Sequence, residues 1–368
     1  MIRRLVPGIM AAAVVAFIGA VAADHLSFFL AALAGIDPSD KNAHHFVSGI
    51  SLAVIIGLMV RNSLGVSTVL RPGISWMVKT GLRIGIVFLG FKLALGTTGA
   101  ISGKAFPIVI ACIVTAFVVV TLFNNWLRLP PKLGALIAVG TSVCGVTAIV
   151  ATGPAIDADE NDTSYAVACV TIFGLLALFT YPWIAHHVFS QDPLLAGIFL
   201  GTSIHDTSQV AGAGMIYQEA FGEPLALQAA TVTKLIRNMS MAVLIPLIAT
   251  KFGNGSAGSK RLSFRQVRDA VPGFIFLFLL AIALRSLGDF TFDPGSTTAE
   301  SWHNFLDGAG WVSKWALAGA LAGIGLNTDL IKLKGLGIKP LVVGFVAAAV
   351  VGLMSFGALS LLYVRGAG

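Results

Sequence analysis

The chain has 368 residues, of which 56% are hydrophobic and 11% charged, and its mean hydropathy is +0.88; soluble globular proteins carry about a quarter charged residues. A soluble core of this size would need far more polar surface. The composition therefore excludes a water-soluble domain and points to an all-α polytopic membrane protein, one integral domain over 1–368 with the lipid bilayer as its surroundings. The net charge of +7 does not indicate nucleic acid, because the basic residues punctuate separate loops and share no continuous face.

A hydrocarbon layer of ~30 Å takes about 20 helical residues. Candidate spans lie near 5–23, 46–60, 78–95, 106–126, 132–152, 163–187, 194–214, 226–250, 271–288, 311–328 and 340–364, about ten or eleven in all. Arg3 and Arg4 before an apolar run ending in Ala20-Val21-Ala22 have the pattern of a secretory signal, but the run is longer than a usual signal core and reads as a span. Segment 46–60 is short, and 26–35 is apolar but too short to cross, so each is expected to tilt or to lie in the interface.

Basic and acidic loops alternate. Arg3 and Arg4, Arg61 to Arg83, Arg128 and Lys132, Lys251 to Arg268, and Lys332 to Lys339 form one set. The other carries Asp24, Asp37 and Asp40; Asp157, Asp159, Glu160 and Asp162; Glu219 and Glu223; and Asp289, Asp293, Glu300 and Asp307. Because Lys and Arg concentrate on the cytoplasmic side, the amino terminus is expected inside and the carboxyl terminus, by count, outside. The acidic cluster after residue 156 reads as solvated loop charge. Gly253 to Ser259 is a flexible linker joined to a basic stretch, so 251–268 is expected to be a cytoplasmic linker.

Two polar stretches interrupt apolar segments in one register. Shifting the chain by sixty-one positions lays Leu133, Ala135, Ile137, Gly140, Thr141, Ser142 and Gly153 onto Leu194, Ala196, Ile198, Gly201, Thr202, Ser203 and Gly214. Paired interruptions at corresponding places point to a transporter's central site. A fainter repeat relates Leu89-Gly90-Phe91-Lys92-Leu93 to Ile324-Gly325-Leu326-Asn327-Thr328. On the span count the fainter pair runs in opposite directions, as inverted repeats do, whereas the Gly-Thr-Ser pair does so only if one segment is re-entrant or broken. At least one break is therefore expected, with repeat halves at 46–187 and 194–365.

Irregular backbone at membrane depth is tolerated only where it is buried in protein or lines a wet cavity. Opened helix ends present N–H groups that suit an anion, and Thr141, Ser142, Thr202 and Ser203 add hydroxyls. Close packing by small residues explains one such motif better than it explains two matched ones. Cys144 and Gly145 sit in the first break; Cys112 and Cys169, also inside apolar segments, read as small core residues. His205 and Asp206 sharpen the second break, with Gln209 just beyond, since ionisable groups in a span default to a functional reading; they read as proton-handling groups, or as an Asp–His hydrogen bond that only orients the loop.

Thr231, Lys234 and Asn238 share one face of segment 226–250, with Gln228 a turn earlier and Arg237 adjacent. Two cations in mid-span need an anion, which could be Asp206 or a substrate. Lys92 and its counterpart Asn327 complete the candidate lining, although Lys92 can also snorkel to the interface. The remaining histidines, His25, His44, His45, His186 and His187, lie near loop ends without ligand spacing to His205, so no metal and no cofactor are expected. Nothing resembles a Walker loop, a zincin helix or a Ser-His-Asp elbow, so no enzyme is expected.

The runs Gly140-Thr-Ser-Val-Cys-Gly-Val-Thr-Ala-Ile149, Gly201-Thr-Ser-Ile-His-Asp-Thr-Ser-Gln-Val210 and Ala230-Thr-Val-Thr-Lys-Leu-Ile-Arg237 resemble successive signatures of the YeiH-like sulfate-exporter family of bacterial inner-membrane proteins. The resemblance extends from about residue 46 to the end. Thr147 stands where the family pattern has serine, which keeps the hydroxyl. The resemblance implies a secondary transporter similar to the sodium–proton antiporter and bile-acid symporter fold, with inverted repeats and crossed discontinuous helices. It also implies a small sulfur oxyanion as substrate, such as sulfate, sulfite or a sulfonate. Fold-level analogy suggests a homodimer. The expected mechanism is alternating access with the anion held between the two Gly-Thr-Ser breaks, Lys234 and Arg237 compensating its charge, and His205 and Asp206 gating it or coupling it to protons. The alternatives are a cation–proton antiporter using Asp206 and a channel or sensor subunit without turnover.

Overall fold

The computed structural model describes residues 2–33, 47–189, 192–252, 272–292, 297–330 and 337–364. Their regular structure is helical throughout: α1 (Ile2–Leu33), α2 (Gly49–Met59) with a wide turn Val60–Leu64, α3 (Arg71–Trp76), α4 (Leu82–Leu89), α5 (Leu95–Trp126), α6 (Pro131–Ser142) and α7 (Val146–Thr152). There follow α8 (Glu160–Phe189), α9 (Pro193–Ser203), α10 (Thr207–Phe221), α11 (Pro224–Met239), α12 (Met241–Phe252), α13 (Phe274–Thr291), α14 (Thr297–Asn327) and α15 (Ile338–Leu359). Among the described residues, seven helical stretches are long and apolar enough to cross a membrane: α1, 71–92, α5, α8, 224–250, α13 and 338–363. On α5 the exposed residues Phe106, Ile110, Val114, Val118, Leu122 and Trp126 recur every four positions, one apolar stripe. Such a stripe is a liability in water and suits lipid.

The expected spans fall on helices, but 46–60, 132–152, 194–214 and 311–328 are not among the seven long apolar stretches, and other differences have physical reasons. Segment 26–35 is no separate interfacial piece, because α1 continues through Leu33 with neither Gly nor Pro over residues 20–33 except Gly19 just before them. Asp24 and His25 therefore lie within α1 and not in a loop. Glu219 lies in α10, where its carboxylate accepts from Ser48 Oγ at 2.6 Å and from the Ile50 amide at 3.3 Å; a carboxylate at the N-terminal end of α2 is held by the unpaired N–H groups there. Asp289 belongs to α13, and Glu300 and Asp307 to α14. Glu160 and Asp162 form the first turn of α8, a favourable place for negative charge. Span 226–250 is divided at Ser240, whose amide and hydroxyl both donate to the Arg237 carbonyl. Asp37, Asp40, His44, His45, Asp293, Lys332 and positions 253–268 of the expected linker lie outside the described residues.

The chain forms two compact units that alternate along the sequence. The first comprises Met1–Gly99, Ala211–Gln228 and Gly273–Lys334, and the second Ala100–Val210, Ala229–Pro272 and Gly335–Gly368. Within the first, α14 packs on α1, α2 and α4. Close approach there depends on facing glycines: a Cβ on Gly325 would lie 2.4 Å from the Val54 carbonyl oxygen, and one on Gly57 would lie 2.8 Å from that of Ala322. Small residues at helix contacts are how helices in lipid gain packing energy. Within the second unit, α6 and α9 have every residue from 133 to 142 and from 195 to 203 buried. Leu136, Ile137, Val139, Ile149, Val170, Val343 and Ala347 join α6, α7, α8 and α15 in one apolar core. A short helix surrounded on all sides keeps its irregular ends away from lipid.

Gly325→Ala is expected to lower the thermal unfolding midpoint in detergent, at a cost of about 1–3 kcal/mol for overpacking. Gly99→Ala, where an added Cβ meets nothing within 4 Å inside α5, should not lower the midpoint and should raise it slightly, alanine being the better helix former.

Candidate functional site

Both Gly-Thr-Ser segments end a helix. α6 stops at Ser142 and α9 at Ser203, the same sixty-one-residue offset as in the sequence repeat. Each resumes after a short gap, α7 at Val146 and α10 at Thr207. At 12 and 7 residues, α6 and α7 are each too short to cross alone, as are α9 and α10 at 11 and 15. Both segments are thus broken helices.

The two breaks touch. Gly145 has φ +65° and ψ −125°, a conformation that a side chain rarely adopts. A Cβ there would also lie 3.0–3.2 Å from Oδ2, Cβ and Cα of Asp206. Glycine is therefore required twice over, for the turn and for the contact. Asp206 caps α10, its Oδ1 accepting from the Ser208 amide at 2.9 Å and from the Ser208 hydroxyl. The Asp206 amide donates to Gln209 Oε1 at 3.3 Å, while Gln209 Nε2 donates to the Thr171 carbonyl of α8 at 3.4 Å. Gln209 lies over Gly174, where a Cβ would come within 1.9 Å of its Oε1.

Breaking a helix leaves its last carbonyls without intrahelical partners. Here α11 supplies the donors. Lys234 Nζ donates to the carbonyls of Val143 at 2.7 Å, Ile204 at 2.9 Å and His205. Arg237 Nε donates to Ser142 O at 2.6 Å, Nη1 to Thr202 O at 2.6 Å and to Ile204 O at 3.4 Å, and Nη2 to Thr141 O. Both side chains are 0% exposed. No carboxylate of a described residue lies within ion-pairing distance of either. Their counter-charge is the pair of half-helix C-terminal ends, each equivalent to about −0.5 charge. The expectation that two buried cations demand an anion is met first by the backbone.

The remaining candidates divide between the units. Thr141, Ser142, Cys144, Gly145, Thr202, Ser203, His205, Asp206, Gln209, Thr231, Lys234, Arg237 and Asn238 all belong to the second unit. Thr231 is buried on α11, and Asn238 Nδ2 donates to Thr207 Oγ1 at 3.0 Å. Cys144 Sγ meets Met241 Sδ at 3.2 Å. Among the described residues, the buried atoms Ser142 Oγ, Ser203 Oγ, His205 Nδ1, Thr233 Oγ1 and Asn238 Oδ1 have no hydrogen-bond partner. Lys92 and Asn327 belong to the first unit. Lys92 pairs with Asp307 at 3.0 Å, with side chains 37% and 80% exposed, a solvated pair worth little; its carbonyl accepts from Gln228. Asn327 ends α14.

Several contributors carry no local signal. Ser355 of α15 bonds Thr202 Oγ1 at 2.6 Å, Thr233 packs on Gly201, and Gly174 makes room for Gln209. A lone serine or glycine in an apolar helix is too common to single out; only its spatial neighbour gives it meaning. Among the described residues, no group of three or more His, Cys, Asp and Glu could hold a metal ion, and Cys112, Cys144 and Cys169 are free and buried.

Gly145→Ala should cost about 1–3 kcal/mol of stability through backbone strain alone, read as a lowered unfolding midpoint in detergent. Arg237→Met leaves the carbonyls of Thr141, Ser142 and Thr202 unpaired and should cost on the order of 3 kcal/mol after the relieved burial of charge is subtracted. Arg237→Lys should recover only part of that, because an ammonium cannot reproduce the guanidinium fork.

Comparison with known proteins places this chain in a family. Residues 8–344 match the family model described as Conserved hypothetical protein 698. A UPF0324 membrane protein of Streptococcus pyogenes serotype M18 is 30% identical over 306 residues, covering 82% of this chain and 86% of its own. One from Yersinia pestis is 31% identical over 308 residues, covering 80% and 79%, and one from Nitratidesulfovibrio vulgaris 29% over 306, covering 80% and 78%. No solved structure matches. With a family model spanning most of its length and apolar helices long enough to cross a bilayer, the chain belongs to the UPF0324 family of membrane proteins and is an all-α polytopic member of it.

Proposed function

We propose that this protein is a secondary transporter for a small oxyanion, held where its two broken helices meet. The observation that carries the reading is the contact of Gly145 with Asp206, which brings two repeat-related breaks together inside a buried core. Irregular backbone at that depth is costly, and discontinuous helices are the recurring way in which secondary transporters build a substrate site. The fainter repeat, 89–93 with 324–328, runs in opposite directions on the span count and supports an inverted arrangement similar to the sodium–proton antiporter and bile-acid symporter fold; alternating access follows as exposure of the same junction to one side at a time.

The charge supports an anion. At the junction the two cations Lys234 and Arg237 outnumber the one carboxylate of Asp206, and the N-terminal end of α10 adds positive partial charge. Because the two cations donate to backbone carbonyls, they act through their field and by fixing the breaks. Direct contact falls to groups that still have capacity: the hydroxyls of Ser142 and Ser203, His205, Asn238 and the one remaining Nη2 N–H of Arg237. The resemblance to sulfate exporters directs the choice to sulfate, sulfite or a sulfonate. The resemblance favours a bacterial inner-membrane location, the alternation of basic and acidic segments favours a cytoplasmic amino terminus and a periplasmic carboxyl terminus, and the fold analogy favours a homodimer.

The test is thermal unfolding in detergent against a panel of oxyanions and dicarboxylates, followed by uptake into proteoliposomes. At ~100 Kd a ligand of the folded state adds about 2.7 kcal/mol. One anion should stabilise the protein and be taken up, and Ser142→Ala with Ser203→Ala should abolish both effects while the protein stays folded. Indifference to every anion, or full activity in the double variant, sinks the reading.

A further inference from the structure

Three carbonyl oxygens from two separate chain breaks converge on one nitrogen, Lys234 Nζ: Val143 O from the first break, Ile204 O and His205 O from the second. An ammonium has three donors and no acceptor, so this set saturates it. Unwound carbonyls and half-helix C-terminal ends are also the ligands with which discontinuous-helix transporters hold Na⁺, and oxygen atoms of this kind are what hard cations select. Arg237 takes the neighbouring carbonyls of Thr141, Ser142 and Thr202 and shares that of Ile204. Six backbone oxygens, three from each break, thus surround two tethered cations.

We infer that the carbonyls of Val143, Ile204 and His205 form a monovalent-cation site that the chain fills with its own Lys234 ammonium, so that the protein takes no sodium at this junction. The site is complete without any free ion: the donors and acceptors match in number, the side chain is 0% exposed, and a tethered ion cannot dissociate. The amino group then stays at the junction, whichever side the junction opens to. A sodium gradient has nothing to act on there, which disfavours sodium coupling and cation exchange alike. The consequence for transport rests on the proposed function; the cation site itself does not.

The experiment measures thermal unfolding of the purified full chain in Na⁺, K⁺, n-propylammonium or N-methylglucamine at constant chloride. It compares the wild type with Lys234→Ala, whose truncation removes the three methylenes and the nitrogen that n-propylammonium replaces. The wild type should show the same midpoint in every cation. Lys234→Ala should unfold several degrees lower in N-methylglucamine and recover saturably with n-propylammonium, and with Na⁺ or K⁺ in part. Saturable stabilisation of the wild type by Na⁺, or ²²Na⁺ exchange through wild-type proteoliposomes, overturns the inference. So does a monodisperse Lys234→Ala that responds to no cation. If that variant does not yield monodisperse protein, the wild-type sodium arms decide alone. Oxyanion titrations run in N-methylglucamine separate the two ideas: no anion response with the expected cation pattern removes the oxyanion reading and leaves the cation site standing.

Discussion

Six backbone carbonyls that have lost their helical partners must find donors in a place without water, and much of the second unit is arranged around that need. Breaking α6 and α9 inside a buried core opens the carbonyls of Thr141, Ser142, Val143, Thr202, Ile204 and His205. An unpaired carbonyl there costs about 1–3 kcal/mol, so two unpartnered helix ends together would rival the whole stability of a typical domain. Lys234 and Arg237 resolve this from a single helix, three residues apart and on neighbouring faces. Each ion also needs the break, since a buried cation without compensating negative charge is as unfavourable as the open carbonyls. The broken helices and the buried cations are therefore one structural feature seen from two sides.

The arrangement also separates two tasks that a bare count of charges merges. Donating to carbonyls fixes the geometry of the breaks; carrying positive charge sets the potential around them. Lys234 does both with all three of its N–H groups engaged, and Arg237 with four of its five. Hydroxyls, an imidazole nitrogen and an amide oxygen remain with unused capacity. Asp206 likewise has structural work, since it caps α10 and touches Gly145, and Gln209 ties its amide to α8 over Gly174. Rigid placement of a few polar groups by neighbours that never meet the ligand is what a binding site at membrane depth requires.

Much of the frame was legible because it follows from local rules. Long apolar runs read as helices, and both Gly-Thr-Ser segments ended helices at the offset seen in the repeat. Where the reading of charge as loop failed, at Asp24, Glu219, Glu300 and Asp307, a helix tolerated the charge. Glu219 meets the start of α2 and Asp307 meets Lys92, partners far away in the chain. The repeat halves and the compact units are different partitions. The first describes similarity along the sequence, whereas the second interleaves three stretches with three others according to which helices pack.

The sequence alone determined that this is a membrane protein of many helices, that at least one of two matched Gly-Thr-Ser segments breaks, and that two cations and one Asp-His pair lie among apolar neighbours. Periodicity, glycine and the cost of charge in lipid are local or compositional, so they can be read without a fold. Only the tertiary structure decided that Lys234 and Arg237 answer to backbone and not to a carboxylate. Those bonds join residues 29 to 96 positions apart, and a carbonyl carries no side-chain identity that a sequence could record. Ser355, Thr233 and Gly174 gained their roles in the same way, from what packing put beside them.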